Sequence, residues 1–174
     1  MAQQPPLDFD PIERAGALWE RNWPDEPGEV YDAMRAVTSI MRAHQILIAD
    51  LDSRLRPYGI TFSRYETLVL LMHSRAGSLP LSKIGERLQV HATSVTNVID
   101  RLEAAGLVRR EPNPRDGRGT LAVITDDGLA VARKATEDLN AARFGMSALA
   151  GGELAQLFAL MRRLRSQAGD FAGE

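Results

Sequence analysis

The stretch from Ala92 to Ala105 divides its side chains between two faces of one helix. Four apolar residues follow the i, i+3, i+4, i+7 spacing of a buried face: Val95, Val98, Ile99 and Leu102. The other side carries short hydrogen-bonding groups and one long cation: Thr93, Ser94, Thr96, Asn97 and Arg101. Such groups reach base edges only when the backbone comes close, and the DNA major groove, about 12 Å wide, admits one helix. This face indicates base reading in that groove, the alternative being the solvated side of an ordinary amphipathic helix.

A shorter helix, predicted from Ser82 to about Leu88, precedes this stretch across a sharp turn at 89–91. The pair forms a helix-turn-helix, in which the first helix fixes the angle at which the second enters the groove. Ser82 and Lys83 stand at the first helix's start, where free amides and positive charge favour a phosphate. Phosphate contacts of this kind set the register of a protein on DNA.

A hairpin with a charged tip is predicted next. Two strand-like runs, 107–111 and 120–124, flank a stretch of turn formers that carries Arg115, Asp116 and Arg118. A guanidinium suits the negative potential of a narrow minor groove, whereas a protein core has no need of one. We expect Asp116 to orient one of the two arginines, with a pair to Arg101 on the preceding helix as one way of doing so.

Charge is distributed unevenly along the chain, whose net charge is −2. Residues 81–119 hold seven basic and five acidic side chains, hence +2, while the remainder holds 14 basic and 18 acidic, hence −4. The positive charge therefore accompanies the helix-turn-helix and hairpin, as binding to a polyanion requires.

Long helices must hold in place the predicted DNA reader, by which we mean the helix-turn-helix with its hairpin (residues 81–125). From Val30 to Leu55 the apolar positions alternate four and three residues apart, interrupted only by His44. A flanking row of apolar residues makes this stripe wide enough to contact two neighbouring elements. We therefore predict a long helix that is partly buried in a dimer interface. Helices starting at Thr125 and spanning 153–167 are predicted to pack on it. Two readers on one base would sit about one DNA turn apart, roughly 10 bp.

The predicted architecture is mainly α with a small β wing, a winged helix-turn-helix lobe on a helical dimerisation base. We assign residues 1–28 to a helical extension, 29–58 and 126–174 to the base, and 59–125 to the lobe. The extension's helix opens at Asp10-Pro11. A capping box at Ser63 to Glu66 is predicted to start another helix.

Several functional classes are disfavoured by composition and motif content. The chain has no cysteine, which excludes disulfides, thiolate metal sites and thiol redox sensing within it. Its histidines are not spaced for a metal, so we predict neither metal nor cofactor. No apolar run approaches a membrane span, no leader is recognisable, and the cytoplasm is the expected compartment. Catalytic motifs are missing, so we predict no enzyme. A protein-binding winged helix is the alternative to a DNA reader.

Four segments together resemble the MarR family of transcriptional regulators: LSKIGERL (81–88), HATSVTNVIDRL (91–102), EAAGLV (103–108) and RDGR (115–118). The resemblance spans about residues 30–167. It implies an obligate homodimer that binds a pseudo-palindrome and is often a repressor released by a small anionic aromatic ligand. It also implies that His91 to Asn97 and Arg101 contact bases or phosphates and that Arg118 enters the minor groove.

Candidate effector residues follow from the same resemblance, which places the ligand between dimerisation helices and lobe. They are Trp19, His44 and Tyr65. For Trp19 the alternative is a packing anchor of the extension. For His44 the alternatives are a hydrogen-bonded interface residue and a pH sensor, since histidine titrates near neutrality.

Overall fold

The computed structural model describes residues 5–114, 116 and 119–172. The chain forms two compact units, residues 1–50 and 51–174. Its helices are α1 (Pro11–Asn22), α2 (Gly28–Leu55), α3 (Phe62–Met72), α4 (Leu81–Leu88), α5 (Ala92–Ala104), α6 (Asp126–Ala141) and α7 (Gly151–Gln167). Its strands are β1 (Ser78–Pro80), β2 (Val108–Pro112) and β3 (Thr120–Ile124). The predicted fold class, mainly helical with a small β wing, is confirmed. Over the described residues, no helix combines the length and apolarity that a membrane crossing needs.

The first unit holds α1 and most of α2. Asp10 Oδ1 accepts hydrogen bonds from the amides of Ile12 and Glu13, at 2.8 and 3.4 Å, which confirms the predicted start of α1. Arg35 of α2 reaches back to Glu20 of α1, Nη2 to Oε1 at 2.6 Å. This ion pair ties the extension to the long helix.

Much of the apolar stripe on α2 is open to solvent in the single chain. Val37 is 55% exposed and Met41 is 59% exposed, and His44 is also exposed. The helix spans Gly28–Leu55, starting two residues before the predicted Val30 and ending where predicted. Within the second unit, by contrast, Leu51 and Leu55 at its end are buried in the core.

The core of the second unit lies between its helices and a three-stranded antiparallel sheet of order β1-β3-β2. Its largest fully buried apolar side chains come from α2 to α6: Leu55, Leu68, Leu71, Ile84, Ile99, Leu102, Leu139 and Val108. The strand β1 was not predicted. Its three residues, including Pro80 at its end, are too short for an alternating pattern, and it exists through pairing of Leu79 with Ala122 of β3.

Helix α3 begins differently from the prediction. The predicted capping box at Ser63 is wrong, because the helix starts at Phe62 and its cap residue, Thr61, makes no side-chain hydrogen bond to the amides of the first turn. Asp52, ten residues earlier, supplies the acceptor instead, taking the Phe62 amide at 2.7 Å. A distant carboxylate therefore satisfies the free donor that local sequence was expected to satisfy.

The hairpin is joined to α6 by a tight corner at Thr125. The Thr125 hydroxyl accepts from the Gly128 amide at 3.0 Å and donates to the Gly106 carbonyl at 2.8 Å, which confirms the predicted cap. Gly128 is required here because a Cβ would overlap the Leu107 carbonyl and crowd Ile124. The corner thus fixes the wing's base to the start of α6.

Candidate nucleic-acid interface

Helix α5 has the two faces that its sequence predicts. Val95, Ile99 and Leu102 are buried, with Ile99 and Leu102 fully enclosed, whereas Val98, predicted for the same face, is partly buried against the core. Five polar residues on the other side are all exposed: Thr93, Ser94, Thr96, Asn97 and Arg101. The core therefore anchors the helix while its polar side faces outward, as insertion into a groove requires.

The turn before α5 is built by Gln89 and His91. Gln89 adopts a left-handed conformation, φ 54° and ψ 43°, which ends α4. His91 is the N-cap of α5: its Nδ1 accepts the Thr93 amide at 3.3 Å and lies 3.1 Å from the Thr93 hydroxyl. Because Nδ1 serves the helix, a contact from His91 to DNA would use Nε2. This capping role was not foreseen.

The start of α4 presents Ser82 and Lys83, both exposed. Lys83 Nζ lies 2.6 Å from Glu86 Oε2, and this hydrogen-bonded ammonium lowers the pKa of Glu86. A phosphate at this position would therefore share Lys83 with a carboxylate one turn along the helix.

The wing consists of β2 and β3, paired from Val108 with Ile124 to Pro112 with Thr120. At its tip the Asn113 amide donates to the Gly119 carbonyl at 2.9 Å, and the Gly119 amide donates to Asp116 at 2.8 Å. The predicted strands are confirmed. Arg115 and Arg118 lie outside the described residues, and the pairing of Asp116 with an arginine stays a prediction.

The basic residues of the lobe differ in how far they are already paired. Arg109 Nε lies 2.7 Å from Glu111 Oε1, and Arg110 pairs with Asp100 and Glu103. Within the part of the chain that the structure describes, Arg87 and Arg101 belong to no ion pair. Arg101 is exposed on α5 and remains available for a contact outside the chain, a distinction that a count of charges cannot make.

A C-terminal segment after α7 meets the helix-turn-helix turn. Gln89 Nε2 donates to the Asp170 carbonyl, and Asp170 Oδ2 lies 3.5 Å from Arg165. The Phe171 ring stacks against Arg162 and Arg165, 5.1 and 5.5 Å from its centroid. Sequence reasoning missed this contact, since no local pattern links residues 89 and 170.

The candidate effector residues differ in their surroundings. In the first unit, Trp19 is 39% exposed with its ring 4.4 Å from that of Trp23, and His44 is exposed. In the second unit, Tyr65 is 5% exposed and its hydroxyl lies 3.0 Å from the Thr136 hydroxyl. Across residues 5–114, 116 and 119–172, no three metal-ligating side chains cluster.

Known proteins share this fold and resemble the chain in sequence. Residues 60–120 match the family model of the MarR family. Among solved structures, Sco5413 from Streptomyces coelicolor, a MarR family transcriptional regulator, is 55% identical with a TM-score of 0.76, and the match covers 82% of this chain and 99% of that one.

The chain belongs to the MarR family. Another S. coelicolor member, Sco3205, was solved in complex with DNA; it is 26% identical, with a TM-score of 0.70 over 76% of this chain and 88% of that one. The transcriptional regulator MhqR of Bacillus subtilis is 30% identical over 92 residues, which are 53% of this chain and only 62% of MhqR. All three of these MarR-family relatives are described as transcriptional regulators.

Proposed function

We propose that this MarR-family chain is a sequence-specific regulator that binds double-stranded DNA, with α5 in the major groove and the wing in the minor groove. The observation that carries the proposal is the exposed polar face of α5, set directly on a buried apolar face. The DNA complex of Sco3205, which shares the fold, supports it. Regulation by repression is the finer form of this proposal.

Each predicted site residue takes one of three roles in the proposal. The base readers are Thr93, Ser94, Thr96 and Asn97. The phosphate contacts are Ser82, Lys83, His91 and Arg101. The minor-groove group is Arg115, Asp116 and Arg118. Short polar side chains discriminate bases, whereas lysine and arginine contacts to phosphate position the protein.

Substitution of a residue proposed for the major groove is expected to change sequence preference, whereas substitution of one proposed for the minor groove is expected to change the salt dependence of binding. Asn97→Ala should lose about 1–3 kcal/mol on the preferred duplex and relax its sequence preference, because a base contact is lost. Arg118→Ala should weaken binding to all duplexes and lower the salt slope by about 0.9, because a minor-groove cation that displaces one counterion from the DNA is removed. Fluorescence anisotropy over a salt series, with the duplex found upstream of the chain's own gene, measures both.

Arg133→Ala is the matched control, since this exposed arginine belongs to α6 and not to the helix-turn-helix or the wing. It should leave both affinity and salt slope unchanged. If Asn97→Ala and Arg118→Ala also bound like the wild type, the assignment of α5 and wing to the two grooves would be wrong.

We further propose that the regulator is a homodimer and retains the three-part organisation of extension 1–28, base 29–58 with 126–174, and lobe 59–125. Helix α7 has no buried residue over its whole length, and α2 exposes Val37 and Met41. A second copy covering such faces would bury apolar surface and place two readers on one pseudo-palindromic site.

A small anionic ligand, carboxylate or phenolic, is proposed to release the DNA. Trp19, His44 and Tyr65 are the candidate contacts, through an exposed indole, an exposed imidazole and a phenol. Ligand that binds only the folded protein at 100 times its Kd adds about 2.7 kcal/mol of stability. Thermal-shift measurement with benzoate, 4-hydroxybenzoate and hexanoate should therefore show a raised Tm for at least one, with benzamide as the neutral control.

The raised Tm should disappear in His44→Ala or Trp19→Ala if those side chains contact the ligand. The same carboxylate should weaken DNA binding by the wild type. A raised Tm with unchanged DNA affinity would contradict the release mechanism.

A further inference from the structure

We propose that Arg110 is a positioning residue that fixes the angle between α5 and the wing and does not itself contact DNA. The inference rests on the proposed function, because the angle matters only if both elements engage one duplex. The angle itself is a property of the protein alone, so it is tested without DNA.

Arg110 lies on β2 and holds two successive acidic positions on α5. Its Nη2 is 2.6 Å from Asp100 Oδ1, and its Nη1 donates to Glu103 Oε2. Its backbone amide donates to Glu103 Oε1 at 3.1 Å. A single carboxylate therefore holds both the side chain and the main chain of one strand residue.

The chemistry of the three groups suits a rigid connection. A guanidinium presents donors in a planar fork that can engage two carboxylates at once, a geometry that lysine lacks. The Arg110 side chain is 26% exposed, whereas those of Asp100 and Glu103 are 59% and 40% exposed, so the guanidinium side of the ion pairs is the part shielded from solvent and salt.

The placement of the acids has no other evident benefit for α5. Asp100 and Glu103 lie near the helix's C-terminal end, where the helix dipole disfavours negative charge. They would also repel DNA phosphates beside a reading helix. The positive charge of Arg110 offsets both effects, and Arg110 belongs to β2, one of the two strands of the wing.

Arg109 next to it provides a natural comparison. Its guanidinium pairs with Glu111, two residues along the same strand, and 56% of its side chain is exposed. The Arg109 pair lies within β2 alone, whereas the Arg110 pairs join β2 to α5. Equal loss of charge at the two positions therefore separates positioning from electrostatic attraction.

The DNA-free test measures the spread of distances between α5 and the wing tip. Because the chain has no cysteine, Thr93→Cys and Pro114→Cys allow specific nitroxide labelling for electron paramagnetic resonance. Arg110→Met should broaden the distance distribution, Arg110→Lys should broaden it less, and Arg109→Met should leave it as in the wild type. Equal widths in Arg110→Met and Arg109→Met would overturn the proposal, whether or not the protein binds DNA.

The DNA test uses the unlabelled variants with the upstream duplex. Arg110→Met should weaken binding by roughly tenfold, the order of loss from one misplaced contact, at an unchanged salt slope. Hydroxyl-radical protection beneath the wing should fade while major-groove protection beneath α5 remains. A salt slope lowered by about 0.9 would instead make Arg110 a phosphate contact and overturn the positioning role. If Arg110→Met does not fold, Arg110→Lys serves as the second variant, because it keeps the positive charge and loses the planar fork of donors.

Discussion

A Ser94→Glu substitution is expected to remove sequence-specific DNA binding without destabilising the protein. Ser94 is the third residue of α5, exposed and one turn after the His91 cap. An acid at this position favours a helix, because it meets the positive end of the helix dipole and can accept the cap residue's amide. In the groove the same carboxylate would face phosphates, and such like-charge contacts cost several kcal/mol, hence roughly 100-fold or more in affinity.

Ser94→Gln is the control, since it adds nearly the same shape without the charge. Denaturant unfolding should show Ser94→Glu to be at least as stable as the wild type, while anisotropy shows lost binding. Should Ser94→Glu keep full affinity for the upstream duplex, α5 would not lie in the major groove.

A Phe158→Glu substitution is expected to separate the proposed homodimer. Phe158 is 63% exposed on α7, and Leu164 on the same helix is 56% exposed. Burying a phenylalanine contributes about 1.5–3 kcal/mol. A two-fold interface presents each residue twice, so the substitution removes this contribution from both copies and adds two carboxylates.

Loss of the dimer should weaken DNA binding by about 100-fold or more, because two linked readers gain avidity that a single reader lacks. Sedimentation equilibrium measures the assembly, and anisotropy measures the affinity. Gln156→Glu, exposed on the same helix, should change neither. A wild type that sediments as a monomer, or a Phe158→Glu variant that remains dimeric, would contradict this interface.

The helices and the wing were predictable because their signals are local. Four apolar residues spaced along α5 predict which side meets the core, and Asp10 and Thr125 cap the helices that follow them. The start of α3 was mispredicted because its acceptor, Asp52, comes from the preceding helix. The strand β1 was missed because three residues carry too little pattern, and pairing with β3 creates it.

The candidate site was predictable in composition but not in its internal pairing. Sequence places Arg110 among the basic residues near the reader, yet only the fold shows that Asp100 and Glu103 hold it. The capping role of His91 depends on how the turn at 89–91 orients its imidazole ring. The bond from Gln89 to Asp170 joins residues that no periodicity relates.

The most direct test of the central claim is equilibrium binding of the wild-type protein to two duplexes over a salt series. One duplex is the DNA upstream of the chain's own gene, and the other has the same base composition in scrambled order. We predict affinity for the first that is greater by about 10³ or more and that falls steeply with salt. Equal affinity for both duplexes, with little dependence on salt, would contradict the account.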